Sequence, residues 1–213
     1  SMIRFAGATP IPMQLHERFA YNPDIDEVAR LVTPRTKLII VNSPNNPCGS
    51  VIPDECLQRI AEIAVDADAV VLSDEIYKDF YYEGTHTSIT SFPGMWDRTV
   101  VLDGLSKSYA MTGWRIGYGV LPEPLVEPVT RLVTNSVSCT AAFTQIAALT
   151  ALEAPQEPVY EMVAEFKDRR DLLVKGLNAL PGVTCPEPQG AFYAFPNIKG
   201  TGLSSDVFER RLL

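Results

Sequence analysis

Three short runs of β-branched and other apolar residues, each ending in polar turn residues, constrain the fold of this chain more than any other feature. They are Thr36 to Asn42, Ala69 to Leu72 and Thr99 to Leu102, and a fourth extended segment is expected within Trp114 to Leu121. Runs this short and this apolar read as fully buried strands. Between the first two, Leu57, Ile60, Ala61 and Ala64 recur on one helical face behind Pro53 and Asp54. A helix starting there, with Pro53 in its first turn, is therefore expected. Strand, helix, strand at these intervals implies right-handed crossovers and a largely parallel sheet. Ligands bind such sheets beyond the carboxyl ends of the strands. The polar segments after Asn42, Leu72 and Leu102 should then open onto one edge.

From Pro122 the pattern turns helical, with Leu125, Val126, Val129, Leu132 and Val133, and then Phe143, Ile146, Ala147 and Leu149. A longer helix is expected from about Val159 to Leu180, stopped by Pro181-Gly182. Val183 to Pro196 mixes short extended runs with Pro and Gly, which reads as the start of a second domain, and the chain closes on a further helical pattern. The expected fold class is α/β, a largely parallel sheet flanked by helices, followed by the start of a smaller α+β domain. Residues 1–155 would form the central part of the large domain, 156–182 a connecting helix, and 183–213 the beginning of the small C-terminal domain.

Composition narrows function by exclusion. An apolar share of 46% with 21% charged residues fits a globular protein, and a formal charge of −8 disfavours phosphate backbones. No nucleic-acid partner is expected. Cys48, Cys56, Cys139 and Cys185 form no CxxC pair, and they and the histidines His16 and His86 lack metal-ligand spacing, so no metal is expected either. The first residues lack the apolar core of a signal peptide and no apolar run is long enough to span a bilayer, which points to a cytoplasmic protein without a membrane partner.

The polar residues at the three strand ends are the chemically suggestive ones. A carbonyl cofactor that activates amino acids needs an amine for a Schiff base, a carboxylate beside its pyridine nitrogen, donors to its phenolic oxygen and a cation for its phosphate. Lys107 supplies the amine, Asp74 the carboxylate, Tyr77 and Asn46 the donors, and Arg115 a guanidinium suited to bidentate phosphate binding. Gly104 and Ser106 would let backbone amides and a hydroxyl approach the same phosphate. Each residue has an ordinary alternative. Taken alone, Lys107 reads more often as solvated surface, Asp74 more often as a cap on a turn and Tyr77 as a half-buried filler, while Asn46 could be an Asx-turn residue and Arg115 half of a surface ion pair. A nucleotide P-loop does not fit, because Ser106 precedes Lys107 where glycine is required and Val101 occupies the first glycine position.

Taken together and in order, these segments resemble the fold-type I, class I/II aminotransferases that depend on pyridoxal 5′-phosphate, particularly the aspartate aminotransferase group. The resemblance covers essentially the whole chain. Ser43-Pro44-Asn45-Asn46-Pro47-Cys48-Gly49 is similar to the family's Asn-Pro-Thr-Gly turn, with Cys48 where threonine is usual. It implies that Asn46 bonds the cofactor's phenolic oxygen. Ser73-Asp74-Glu75-Ile76-Tyr77 resembles the family's strand-end motif, which implies Asp74 at the pyridine nitrogen and Tyr77 at the phenolic oxygen. The most specific match runs from Leu105 to Tyr118, with Ser106-Lys107-Ser108 and Gly113-Trp114-Arg115 inside it. It implies Lys107 as the lysine of the internal aldimine and Arg115 as a phosphate ligand. Gly104 stands where many relatives have a phosphate-binding serine, which shifts some of that contact to Ser106 or elsewhere.

The resemblance implies the major domain of a pyridoxal-phosphate-dependent transferase, acting on an amino acid (aspartate-like or of broad range) and a 2-oxo acid, as a homodimer. Ser136 to Thr140 resembles a loop near the family's dimer interface. The family's glycine-rich phosphate loop and ring-stacking aromatic are expected before Ser1 and its substrate-carboxylate arginine after Leu213, so the chain is expected to be a fragment. A lyase or synthase on the same scaffold, an aminotransferase-like sensor domain of a regulator, and an inactive truncated fragment are the alternatives.

Overall fold

The structure is a computed structural model and describes residues 2–213. Four strands, β1 (Leu38–Asn42), β2 (Val70–Asp74), β3 (Thr99–Gly104) and β4 (Gly117–Val120), form one sheet in the order β1-β2-β3-β4. The first three are parallel, and β4 joins β3 antiparallel with Gly104 opposite Gly117. The helices are α1 (Met2–Phe5), α2 (Ile25–Leu31), α3 (Asp54–Asp66), α4 (Glu123–Ser136), α5 (Ala142–Glu153), α6 (Glu157–Asn178) and α7 (Ser205–Leu212).

The expected crossover is present: α3 carries the chain from β1 to β2. Its apolar stripe, Leu57, Ile60, Ala61 and Ala64, is buried against Val41 and Val71, with Ile52, Ile89 and Met95 completing the cluster. Burying side chains the size of Leu57 and Ile60 contributes about 1.5–3 kcal/mol each, an upper estimate because the unfolded chain is itself partly compact. Pro53 sits at the N-cap of α3, one position before the first turn where the sequence had suggested it. The long helix is also close to expectation at Glu157–Asn178.

One expectation needs correction. β1 is covered on one face only: Ile39 and Val41 pack toward α3, whereas Leu38 and Ile40 remain 43% and 45% exposed. A short apolar run reports how apolar a strand is, not what lies on each of its faces. The segment from Val183 to Pro196 forms no regular strand. It makes two isolated bridges, Tyr81 to Gly190 and Thr184 to Asn197, because it folds back over neighbouring loops instead of joining the sheet. Helix α2 was not anticipated, although Asp24 accepts from the amides of Asp26 and Glu27 as an N-cap residue does.

Candidate active site

Register places the three parallel strand ends side by side, with Asn42 opposite Asp74 and Asp74 opposite Leu102. The turns that leave them carry the suggested residues. Asn42 closes the first gap by donating from Nδ2 to the Asp74 carbonyl at 3.2 Å, while its Oδ1 accepts from the Asn46 amide at 2.8 Å. Asn45 Oδ1 accepts from the Cys48 amide at 3.1 Å, and Ser43 Oγ accepts from the buried Ile52 amide at 3.0 Å. Side chains thus satisfy the backbone of a turn that leaves the ladder, and they fix Asn46 above the edge.

Asp74 is half-buried, and one of its oxygens accepts from the Ile76 amide at 3.3 Å. Burial pushes its carboxyl above the usual range, the Ile76 amide opposes this, and the neighbouring Asp103 and Glu75 charges add to the rise. Such a carboxylate is short of positive charge, and a protonated ring nitrogen would supply it. Tyr77 is almost fully buried at 3% exposure, and its hydroxyl lies 2.5 Å from that of Tyr193. Burial first and the Tyr193 hydroxyl second raise the Tyr77 phenol well above its ordinary value, while a hydrogen bond from Asn46 pulls the other way. Tyr77 therefore stays a neutral hydroxyl at physiological pH, able to donate.

Lys107 lies in the connection between β3 and β4. Its Nζ sits 5.6 Å from the centroid of the Tyr77 ring and 5.7 Å from that of Phe192, between two aromatic faces. The adjacent Ser108 Oγ is buried and has no hydrogen-bond partner. Asn46, Asp74, Tyr77 and Lys107 therefore form one group around the Tyr77 ring. Arg115 is exposed and in the left-handed region (φ +54°), and its guanidinium donates to the Thr112 carbonyl at 2.7 Å. Among the described residues no hydrogen bond joins Arg115 or Ser106 to that group. Gly104 has a packing role of its own. A Cβ there would lie 2.9 Å from Gly117 Cα, and the Gly104 amide donates to Asp103 Oδ1 at 2.7 Å.

Sequence reasoning missed several neighbours of the group. Glu75 is buried and accepts from Ser73 Oγ at 2.9 Å and Ser88 Oγ at 2.7 Å, with His86 Nε2 at 2.9 Å. Burial alone would raise its pKa, but the hydrogen bonds from His86, Ser88 and Ser73 outweigh it and hold Glu75 below the usual carboxylate range. Asp103 pairs with Lys78 and accepts from the Tyr118 hydroxyl at 2.5 Å. Phe192 and Tyr193 arrive from the segment after α6. Gln189 and Gly190 donate to the Gly49 carbonyl at 2.9 and 3.0 Å, Ala191 donates to the Phe80 carbonyl at 2.9 Å, and the Tyr82 hydroxyl donates to the Ala191 carbonyl at 2.5 Å. Gly190 was the available signal. A Cβ there would lie 2.6 Å from the Phe80 carbonyl oxygen and 2.8 Å from Pro44, so only glycine allows this approach.

The donor set suits pyridoxal phosphate: a lysine amine, a carboxylate lacking positive charge and two donors converge on one edge of the sheet. Residues 1–213 match the family described as aminotransferase class I and II. The chain is 42% identical over 211 residues to an aromatic-amino-acid aminotransferase 2 of Thermococcus litoralis, covering 98% of this chain and 54% of the relative. It is 41% identical over 211 residues to an aspartate aminotransferase of Pyrococcus abyssi, again covering 98% and 54%. Among solved structures it is similar to an aromatic aminotransferase from Pyrococcus horikoshii, with TM-score 0.95 and 38% identity over 99% of this chain and 57% of that one. A Thermus thermophilus aspartate aminotransferase double mutant gives TM-score 0.86 and 39% identity over 91% and 50%. The chain spans about half the length of the curated relatives it matches.

Proposed function

Because the chain belongs to the aminotransferase class I and II family, we propose that the protein carrying it transfers an amino group between an amino acid and a 2-oxo acid, with pyridoxal 5′-phosphate held covalently by Lys107. The observation that carries the proposal is the placement of the Lys107 amine against the ring of Tyr77, whose hydroxyl Asn46 also addresses, on the edge where Asp74 ends β2. Bound pyridoxal phosphate supplies an electron sink conjugated to the substrate's Cα. Asp74 holds a proton at the pyridine nitrogen, and that cation in turn favours the ionised form of a carboxyl that burial otherwise disfavours. Tyr77 and Asn46 donate to the phenolic oxygen. The Lys107 amine, once freed by the substrate amine, would act as the general base that takes up the substrate's Cα proton. Arg115, with Ser106 and Gly104 nearby in the chain, is the proposed phosphate side of the site.

The relatives' names support an amino donor that is aspartate-like or aromatic within a broad range. A cytoplasmic homodimer, with 1–155 in a large domain and 183–213 opening a small one, completes the proposal. The test is conversion of 2-oxoglutarate to glutamate by the protein at its full encoded length, with aspartate or phenylalanine as donor. Glutamate formation that disappears in Lys107→Ala is the expected result. If no glutamate forms with any donor, transamination is refuted and lyase chemistry at Cα becomes the better account.

A further inference from the structure

The Tyr193 hydroxyl meets that of Tyr77 at 2.5 Å, and the function proposed above gives it no part. The two rings are 5.5 Å apart at 81°, and the residue is held from both sides. The backbone before it is bonded to Gly49 and Phe80, and a Cβ on Gly49 would lie 2.8 Å from the Tyr193 carbonyl oxygen. Tyr193 is therefore clamped beside the Asn46 turn, facing the hydroxyl that Asn46 also addresses.

We propose that Tyr193 is a positioning residue: by donating to the Tyr77 oxygen it leaves the Tyr77 proton free to turn into the cleft, toward the cofactor's phenolic oxygen. This rests on the function proposed above. A phenol has one proton and two acceptor sites. With Tyr193 donating to one of them, the Tyr77 proton is not used within the pair and is left to point outward. The reverse orientation, Tyr77 donating to Tyr193, would use that proton within the pair. Negative charge on the phenolic oxygen selects the first orientation, and donation from Tyr193 strengthens Tyr77 as a donor.

The experiment uses the protein at its full encoded length, loaded with pyridoxal phosphate, and follows the visible absorption of the lysine-bound cofactor against pH. A donor to the phenolic oxygen favours the form in which the imine nitrogen has lost its proton, so weaker donation moves the midpoint up. Tyr77→Phe raises the midpoint, Tyr193→Phe raises it by a smaller amount, roughly 0.3 to 1 pH unit, and the double variant matches Tyr77→Phe alone. An unchanged midpoint in Tyr193→Phe, or a double variant whose shift adds the two singles, overturns the proposal. If the unmutated protein shows no lysine-bound band, the cofactor function fails and this role fails with it. The pairing itself is read separately, from the ¹³Cζ resonance of Tyr77 in cofactor-free protein. Tyr193→Phe shifts that resonance if the hydroxyls are bonded, and a resonance that stays in place also overturns the proposal.

Discussion

Replacing Gly49 with alanine should destabilise the protein and open the wall of the site at the same time. Gly49 has φ +68°, a backbone conformation that costs an L-residue about 1–2 kcal/mol. The added Cβ would lie 2.5 Å from Pro188 Cβ, 2.8 Å from the Tyr193 carbonyl oxygen and 3.2 Å from that of Gly190. Backbone atoms and a proline ring cannot swing aside as a flexible side chain can, so overpacking adds about 1–3 kcal/mol. Relief requires the 188–193 segment to move, which strains the two bonds that the Gly49 carbonyl accepts from Gln189 and Gly190. The expected loss is about 2–5 kcal/mol in urea unfolding. Gly113→Ala is the control, since nothing lies within 4 Å of its Cβ position, and it should stay within about 0.5 kcal/mol of the unmutated protein. If Gly49→Ala is as stable as Gly113→Ala, the 188–193 segment is not clamped and the described positions of Phe192 and Tyr193 are wrong.

Two further perturbations probe the supports of the site. Glu75→Gln should cost about 1–3 kcal/mol at pH 7, because a buried charged acceptor of three hydrogen bonds is lost. Glu75 is held below the usual carboxylate range, so its stabilisation is complete above the unfolded value and disappears as pH falls through the folded one. The gap between variant and unmutated protein should therefore close on acidification in urea titrations, and a gap that widens would contradict the assigned hydrogen bonds. Arg170 is buried, donates to the Pro188 carbonyl at 3.0 Å, pairs with Asp171 at 2.7 Å and lies 4.9 Å over the Tyr82 ring. Arg170→Ala should cost about 1–3 kcal/mol, from the lost bond to the Pro188 carbonyl and the lost contact with the Tyr82 ring, and Arg170→Lys should recover less than half of it, because an ammonium loses the planar fork and the stacking. Full recovery by lysine would show that charge alone matters there.

How much was legible in the sequence depended on how local each signal was. Asn46, Asp74, Tyr77 and Lys107 stand at or just beyond the ends of apolar runs, and a parallel sheet brings such ends to one edge whatever the details of the crossovers. Tyr193 reaches Tyr77 across 116 residues, and no periodicity encodes that meeting. The positive φ of Ala191 and the crowding at Gly190 belong to the same long-range contact, so the segment read as turn-rich texture. The exposed face of β1 escaped notice for a related reason. Leu38 and Ile40 are as apolar as Ile39 and Val41, and only the position of α3 distinguishes the two faces. Glu75 lay inside a quoted motif, but its value depends on His86 and Ser88 folding back from the loop after it.

The most direct test of the central claim is to incubate the protein with pyridoxal phosphate, reduce with borohydride and map the modified peptide by mass spectrometry, with Lys107→Ala alongside. The predicted result is modification concentrated at Lys107 and absent from the variant. Label scattered over other lysines and persisting in Lys107→Ala would mean that the group around Tyr77 is not a cofactor site.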